Sequence, residues 1–424
     1  MRATPMRRLA AASAVGTTLE WYDFLVYNLM AALVFNAVFF PSFDPLSGTL
    51  LAFSTYAVGY LARPVGGLLF GHLGDRRGRR FVLVATLLAM GIATALIGLL
   101  PTYAQWGVWS PALLVSLRFA QGAAIGGEWA GAVLLAIEHG PAQRRGRNGS
   151  FAQIGPACGT LLGTATVAGV NHWLDPVAFM SWGWRLPFLL STLLVGFGLW
   201  LRHAITETPA FLALSAQQQT AKAPLTEVMR EHKRPLFICI GARFGADVWY
   251  AMLVVFTLTY LTTILQLSRA LALGCTLLGA ACHALAIPWF ASLSDRTGRR
   301  PLLALGSAAS VAWAFAYFPL LDTREPLLMA AAVAIGLILH ATLYGPQAAF
   351  IAEQFPARVR YAGASLSYTL TGVVAGGVAP LAFTALYKNH PSTLPLACYV
   401  AAAFTLTAIA IWAATETAHQ PMRD

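Results

Sequence analysis

The chain has 424 residues, of which 58% are hydrophobic and only 11% charged, against about 25% charged in an ordinary soluble protein. With a mean hydropathy of +0.64 and a net charge of +11, this composition excludes a soluble globular enzyme, a disordered chain and a nucleic-acid-binding chain. The cysteines, Cys158, Cys239, Cys275, Cys282 and Cys398, fall in apolar stretches without paired spacing, so each is expected to be a small core residue outside any disulfide or metal site.

A bilayer-spanning helix needs roughly 20 mostly apolar residues. In chain order such stretches lie at 14–40, 48–72, 81–100, 111–138, 149–171, 185–201, 235–264, 270–293, 301–321, 326–352, 361–387 and 394–414. They predict an all-α membrane protein with twelve spanning helices. Glu20 and Asp23 interrupt the apolar part of the first, and no small-residue cleavage site follows, so it is expected to stay in the mature protein.

Short cytoplasmic loops collect Lys and Arg. Arg7 and Arg8 follow Arg2 ahead of the first helix; Arg76, Arg77, Arg79 and Arg80 follow the second, and Arg144, Arg145 and Arg147 the fourth. Arg202, Lys222, Arg230, Lys233 and Arg234 follow the sixth, Arg296, Arg299 and Arg300 the eighth, and Arg358 and Arg360 the tenth. The odd-numbered loops offer only Arg185, Arg269, Arg324 and Lys388. Both termini are therefore expected in the cytoplasm. The polar run 203–234, with Gln217, Gln218 and Gln219, reads as a cytoplasmic linker between an N-terminal half, 1–202, and a C-terminal half, 235–424.

The halves repeat. Asp75-Arg76-Arg77-Gly78-Arg79-Arg80 recurs as Asp295-Arg296-Thr297-Gly298-Arg299-Arg300, a shift of 220, and Glu138, Pro141 and Arg145 recur as Glu353, Pro356 and Arg360, a shift of 215. Two motifs at nearly one offset predict parallel six-helix repeats, the plan of a secondary transporter with its site between them. Asp75, Arg76, Arg79, Asp295 and Arg296, with Glu138, Arg145, Glu353 and Arg360, are expected to form ion pairs at the cytoplasmic helix ends. Such pairs hold that side shut and break when it opens; the plainer reading makes them topological anchors.

Gly71-His72-Leu73-Gly74-Asp75-Arg76-Arg77-Gly78-Arg79-Arg80 resembles the loop signature of the major facilitator superfamily. Arg118-Phe119-Ala120-Gln121-Gly122 and Gly155-Pro156-Ala157-Cys158-Gly159 resemble its fourth- and fifth-helix motifs. Glu20-Trp21-Tyr22-Asp23-Phe24, Gly126-Gly127-Glu128-Trp129, Trp182-Gly183-Trp184-Arg185 and Glu207-Thr208-Pro209 narrow the resemblance to the metabolite:proton symporter family. Residues 91–98 are most similar to its shikimate permease branch. Ala291 departs from the pattern, standing where the second loop signature usually begins with Gly, and the linker is comparatively short. The resemblance implies the major facilitator fold and import of a small metabolite with a proton.

Ionisable residues within spans are expensive and ask for a partner or a cavity. Glu20 and Asp23 lie on the first helix, Arg63 on the second, Arg118 and Glu128 on the fourth, Arg243 and Asp247 on the seventh. At ~1.5 Å per residue from the nearest cytoplasmic end, Glu20, Arg63, Glu128 and Arg243 fall roughly 13–18 Å deep, Asp23 and Asp247 deeper, and Arg118 further outward. Four acids against three bases leave one carboxylate to be neutralised by a proton, the requirement of a coupling site. Asp23 is the first candidate, since similar families set a proton-accepting Asp on helix one against an Arg on helix four; Glu20, three residues earlier, is the alternative. A fixed polar network that only sets helix packing is the competing reading, strongest for Glu128 beside Gly126-Gly127.

Arg243 stands 220 residues after Asp23, which suits an anionic substrate held by Arg243 while Asp23 carries the proton. A local pair between Arg243 and Asp247, four residues on, stands beside that reading. Tyr22, Tyr27, Asn28, Trp249, Tyr250, His340, Tyr344 and Gln347 complete the candidate pocket, together with Arg63, Glu128 and Asp247. The expectation is a monomeric proton-coupled importer of a small organic acid, shikimate-like or dicarboxylate. No cofactor beyond the coupling proton is expected, and the partners are substrate, proton and membrane lipid, with no nucleic acid. A symporter of a zwitterion such as proline or betaine, or an exporter, is the alternative. No metalloprotease-type HExxH spacing or other catalytic constellation points to an enzyme.

Overall fold

The computed structural model describes residues 6–41, 45–203, 205–219 and 221–422, apart from the side chains of residues 32, 45–54, 56 and 57; Arg2 lies outside them. Among the described residues the chain forms twelve long helical passages. In the first half these are α1 (Met6–Met30, continued through a π turn at Ala31–Phe35), α2 (Pro45–Arg77), α3 (Arg79–Leu99), α4 (Trp109–His139), α5 (Arg145–Gln153 and Gly155–Trp173) and α6 (Leu186–His203). In the second they are α7 (Lys233–Tyr250, running through π turns to Ile264), α8 (Arg269–Thr297), α9 (Arg299–Asp322), α10 (Pro326–Glu353), α11 (Arg360–Thr371, a π turn at Gly372–Gly377, then Ala379–Asn389) and α12 (Leu394–Ala413). Among the described residues nine helices are long and apolar enough to cross a membrane, and ten when the bent first passage counts as one. The α5 passage breaks at Ile154, ahead of the Gly155-Pro156 pair of the fifth-helix motif.

The repeat is visible in the backbone. The π turns of α1 and α7 begin at Ala31 and Ala251, the same shift of 220 that relates the two loop motifs. Gly78 and Gly298 take φ of +104° and +97°, a region that L side chains rarely adopt, and each lets the chain turn sharply from one long helix into the next. The halves meet along two equivalent seams, α2 against α11 and α8 against α5.

Lipid tails are as apolar as leucine, so helices in a membrane associate by close packing rather than by burying apolar area. Glycines supply that closeness between α2 and α4: a Cβ on Gly122 would collide with the Gly59 carbonyl, and one on Gly126 with that of Arg63. Large apolar side chains such as Leu285, Leu327 and Trp412 point outward, where a soluble protein would carry charge. The run 203–234 folds into two short helices, Pro209–Ala216 and Pro224–Glu231; the second buries Val228 and is tied to the second half by Arg358 on Glu227 at 2.5 Å. All five cysteines are free thiols, and Cys398 is exposed rather than in the core, because it faces outward from α12.

Candidate functional site

At the end of the bundle that carries the basic loops, the two motifs interlock across the halves. Asp75 accepts from the backbone N–H groups of Tyr361 and Ala362 at the start of α11, at 3.2 and 2.8 Å. Its counterpart Asp295 accepts from Gly146 and Arg147 at the start of α5, at 2.7 and 2.9 Å. Each carboxylate thus sits on the positive N-terminus of a helix of the opposite half. Arg79 lies 3.4 Å from Asp75 and 3.6 Å from Glu138, while Arg299 lies 2.9 Å from Asp295 and 3.1 Å from Glu353. Arg360 of the second half pairs with Glu138 of the first at 3.0 Å, and Arg145 of the first with Glu353 of the second at 3.0 Å.

Two of the expected gate residues are not in this cluster. Arg76 and Arg296 are exposed, Arg76 near His72. The residue that turns inward is the one after each glycine turn, so Arg299 takes the place expected of Arg296. Sequence reasoning also missed Glu207 and Glu416. Glu207 accepts from the N–H groups of Arg79 and Arg80 at the start of α3, and Glu416 from those of Arg299 and Arg300 at the start of α9. The repeated Glu-Thr pair, 207–208 and 416–417, was the available signal. Burial works against the Glu416 carboxylate, but backbone N–H donors from Arg299, Ala418, Arg300 and Thr417 outweigh it and hold the group below its ordinary range.

Inside the bundle the buried charges form three groups. Glu128 pairs with Arg202, which also donates to the Leu83 carbonyl, and accepts from Thr86 at 3.1 Å. Arg202 is 2% exposed, so its long side chain reaches from the end of α6 back into the first half instead of joining the loop charges. This corrects the charge tally: four acids face four bases, and the case for a protonated carboxyl passes from arithmetic to geometry. Glu128 is withdrawn from the substrate pocket by the same pair. Tyr22 donates to the Pro187 carbonyl at 2.9 Å and Trp249 to that of Gly336 at 3.2 Å, so both are fixed within their own half rather than lining a pocket. Asn28 is half-buried on α1.

The second group surrounds Asp23. Thr94 of α3 and Ser191 of α6 donate hydroxyl hydrogens to its two oxygens at 2.7 and 2.5 Å. Arg118 is fully buried over the rings of Phe24 and Tyr27, at 4.2 and 4.1 Å from the centroids, and donates to Gln121 Oε1 at 3.2 Å. Gln121 in turn donates to Thr94 Oγ1 at 2.6 Å, so Arg118 reaches Asp23 through two side chains. Tyr27 shares a 2.6 Å hydrogen bond with Thr55. Glu20 is buried with neither oxygen hydrogen-bonded, and the Arg63 guanidinium lies over the Tyr60 and Phe24 rings at 4.3 and 4.7 Å.

The third group lies at the seam. Arg243 donates Nε–H to Asp247 at 2.9 Å and Nη1–H to Gln347 at 3.1 Å, and its guanidinium rests 3.7 Å from the Tyr368 ring centroid. Tyr368 stacks on Trp129 of the opposite half at 4.0 Å. Trp129 donates to Gln153, which donates to the Tyr344 carbonyl at 2.8 Å, a second bridge between halves. Tyr250 packs edge-on against Trp21 of α1 and lies 5.2 Å from His340, whose Nδ1 is 2.9 Å from Nε2 of His283. A cavity of about 10 Å³, lined by Thr160 on one side and by Tyr250, Thr276 and His283 on the other, marks the seam; that is room for about one water. Tyr368, Trp129 and His283 were missed, since aromatic residues in spans are mostly packing residues and only the fold brings these together.

The family model described as sugar (and other) transporter matches residues 9–233 and 215–424. The chain is 37% identical over 420 residues to the inner membrane metabolite transport protein YhjE of Escherichia coli K12, covering 98% of this chain and 95% of that one. It is 40% identical over 383 residues to the shikimate transporter of the same strain, covering 90% and 87%. The proton:xylose symporter XylE bound to 6-bromo-6-deoxy-D-glucose superposes with a TM-score of 0.75 at 18% identity, covering 96% of this chain and 94% of that one, which shows a shared fold.

Proposed function

Because the chain belongs to the major facilitator superfamily of transporters, on its metabolite:proton symporter branch, we propose that it imports a small organic acid together with a proton across the bacterial inner membrane, with both termini in the cytoplasm. The observation that carries this reading is Arg243 at the seam, a guanidinium from one half lying against a Trp129–Tyr368 stack that spans both. A guanidinium has five N–H donors, and Asp247 and Gln347 take two, so a substrate carboxylate can be gripped in the planar fork without dismantling the local pair. The two readings of Arg243 are thus compatible.

The proton rides on Asp23. It is held on a different wall from Arg243, and protonating it leaves the substrate's negative charge to be met by Arg243 alone. Proton and anion entering together reduce the charge carried through the low-dielectric interior. The interlocked motifs at the basic end close the cytoplasmic exit while substrate is loaded, and the halves then rock about the seam to open it.

Purified protein in vesicles, offered labelled shikimate and a panel of other small carboxylates with and without an imposed inward proton gradient, tests the reading. Accumulation of a carboxylate above its external concentration only when the gradient is present supports it. Accumulation indifferent to the gradient removes proton coupling, and transport confined to uncharged or cationic solutes removes the organic acid.

A further inference from the structure

We propose that Thr94 is the hydrogen-bond partner that lets Asp23 hold and release a proton, and that Gln121 orients Thr94 from Arg118; the proposal rests on Asp23 being the proton carrier. The geometry around one hydroxyl carries it. Thr94 Oγ1 lies 2.7 Å from Asp23 Oδ2, 2.9 Å from the Met90 carbonyl and 2.6 Å from Gln121 Nε2, all of these groups lying inside the first half. A hydroxyl has one hydrogen and two lone pairs. An amide nitrogen only donates, so Gln121 occupies one lone pair permanently. Its orientation is set in turn, because Arg118 also only donates and therefore requires Gln121 to present Oε1.

Thr94 then has two settings. When Asp23 is ionised, the Thr94 hydrogen points to Oδ2. When a proton binds Oδ2, the new O–H donates into the remaining Thr94 lone pair, and the Thr94 hydrogen swings to the Met90 carbonyl. Every donor has an acceptor in both states, so the penalty for burying an unsatisfied group never arises during the cycle. Ser191, which donates to Oδ1 at 2.5 Å, has an acceptor there whether or not Oδ2 carries the proton. Glu20, with no hydrogen-bond partner on either oxygen, has no such matched pair of states. Among the described residues, the charged and titratable groups acting on or beside Asp23 are Arg118 from α4 and Tyr22 on its own helix; α3 and α6 contribute the hydroxyls of Thr94 and Ser191.

The settings differ in strength. A hydrogen bond to the ionised carboxylate is charge-assisted and about twice as strong as one between neutral groups. Removing the Thr94 hydroxyl therefore costs the ionised state more, and proton release moves to higher pH. Infrared titration of the purified, substrate-free transporter in lipid nanodiscs reads this without knowledge of the substrate. Asp23→Asn identifies the carboxyl band. Thr94→Val should move its midpoint upward on the order of one pH unit, the scale of one hydrogen bond to a charged group, and raise the carbonyl stretching frequency. Thr94→Ser should leave both unchanged, and Gln121→Leu should move the midpoint in the same direction by less, which decides the matter if Thr94→Val does not fold. A band absent in Asp23→Asn but unmoved in the Thr94 and Gln121 variants overturns the role of Thr94 while leaving Asp23 as carrier. A titrating band that survives Asp23→Asn overturns the reading of Asp23 itself.

Discussion

Arg145 of the first half pairs with Glu353 of the second, and the repeat-equivalent Arg360 of the second pairs with Glu138 of the first, both at 3.0 Å and both buried. Each glutamate also meets the arginine that follows the glycine turn of its own half, Arg79 or Arg299. Every acid therefore joins one fixed partner and one partner that must leave when the halves separate. A bound pair of this kind stores the closed state without locking it, since the fixed arginine keeps the glutamate compensated after opening.

Opening at this end should respond unequally to the two kinds of arginine. Arg145→Ala or Arg360→Ala removes a cross-half ion pair, with one hydrogen bond to a carbonyl of its own half (Ala142 or Phe355), and should raise the open population by roughly tenfold, below the ~3–5 kcal/mol cost of stranding a buried charge. Arg79→Ala or Arg299→Ala leaves its glutamate with the cross-half arginine alone, so the acid is stranded whenever the halves separate, and folding yield should fall as well. Spin-label distances across the basic end, measured beside thermal unfolding, separate the two outcomes; equal effects in both assays from all four variants would contradict the division of roles.

Asp23→Asn should abolish gradient-driven accumulation while leaving exchange of substrate across equilibrated vesicles within a few-fold of the parent. Loss of both activities together would mean that Asp23 serves folding or substrate binding rather than coupling.

Arg243→Lys keeps the charge and loses the planar fork, so a carboxylate substrate should bind at least about tenfold more weakly, with Arg243→Gln weaker still. Binding heats or transport KM values that stay within two-fold of the parent would move the anion site away from the seam.

Glu128 and Arg202 should act as a structural unit. Arg202→Met strands Glu128 and should destabilise the first half by ~3–5 kcal/mol, whereas Glu128→Gln with Arg202→Met should recover most of the loss. Thermal unfolding in detergent reads both, and a double variant as unstable as the single one counts against the pair.

Glu416 gives a pH dependence whose sign is fixed. Its carboxyl is held below the usual value of 4.5 in the folded state by backbone N–H groups at the start of α9. Its contribution is therefore fully present above pH 4.5 and lost as pH falls through the lowered folded value. Glu416→Gln should lower thermal stability at pH 7 and narrow the gap to the parent below about pH 4. A gap that stays constant with pH would show that the carboxylate charge is not what caps α9.

Much of this was legible in the chain. The helical passages, the basic loops, the repeat at 220 and the acidic partners at 138 and 353 follow from apolar run length and from motifs that recur at fixed spacing, and these are properties of a one-dimensional pattern. The pattern also put Asp23 and Arg243 at equivalent positions. It could not assign partners. Arg202 sits among loop charges in the sequence, yet it neutralises Glu128 because α6 packs beside α1 and α3 and a long side chain can reach inward to α4. Arg296 and Arg299 look alike in sequence; the φ of +97° at Gly298 decides which one faces the acids. Gln121 falls in the fourth-helix motif and Thr94 in the 91–98 run, yet neither these nor Ser191 showed a role in the sequence, since a hydroxyl or amide in an apolar helix reads as neutral filler. Apolar run length, loop charge and motifs recurring at one offset determined that this is a twofold-repeated membrane transporter, because bilayer thickness and loop charge act on the chain locally. Which acids are paired and which can take a proton was decided only by the tertiary structure, because hydrogen-bond satisfaction depends on distances between helices far apart in sequence.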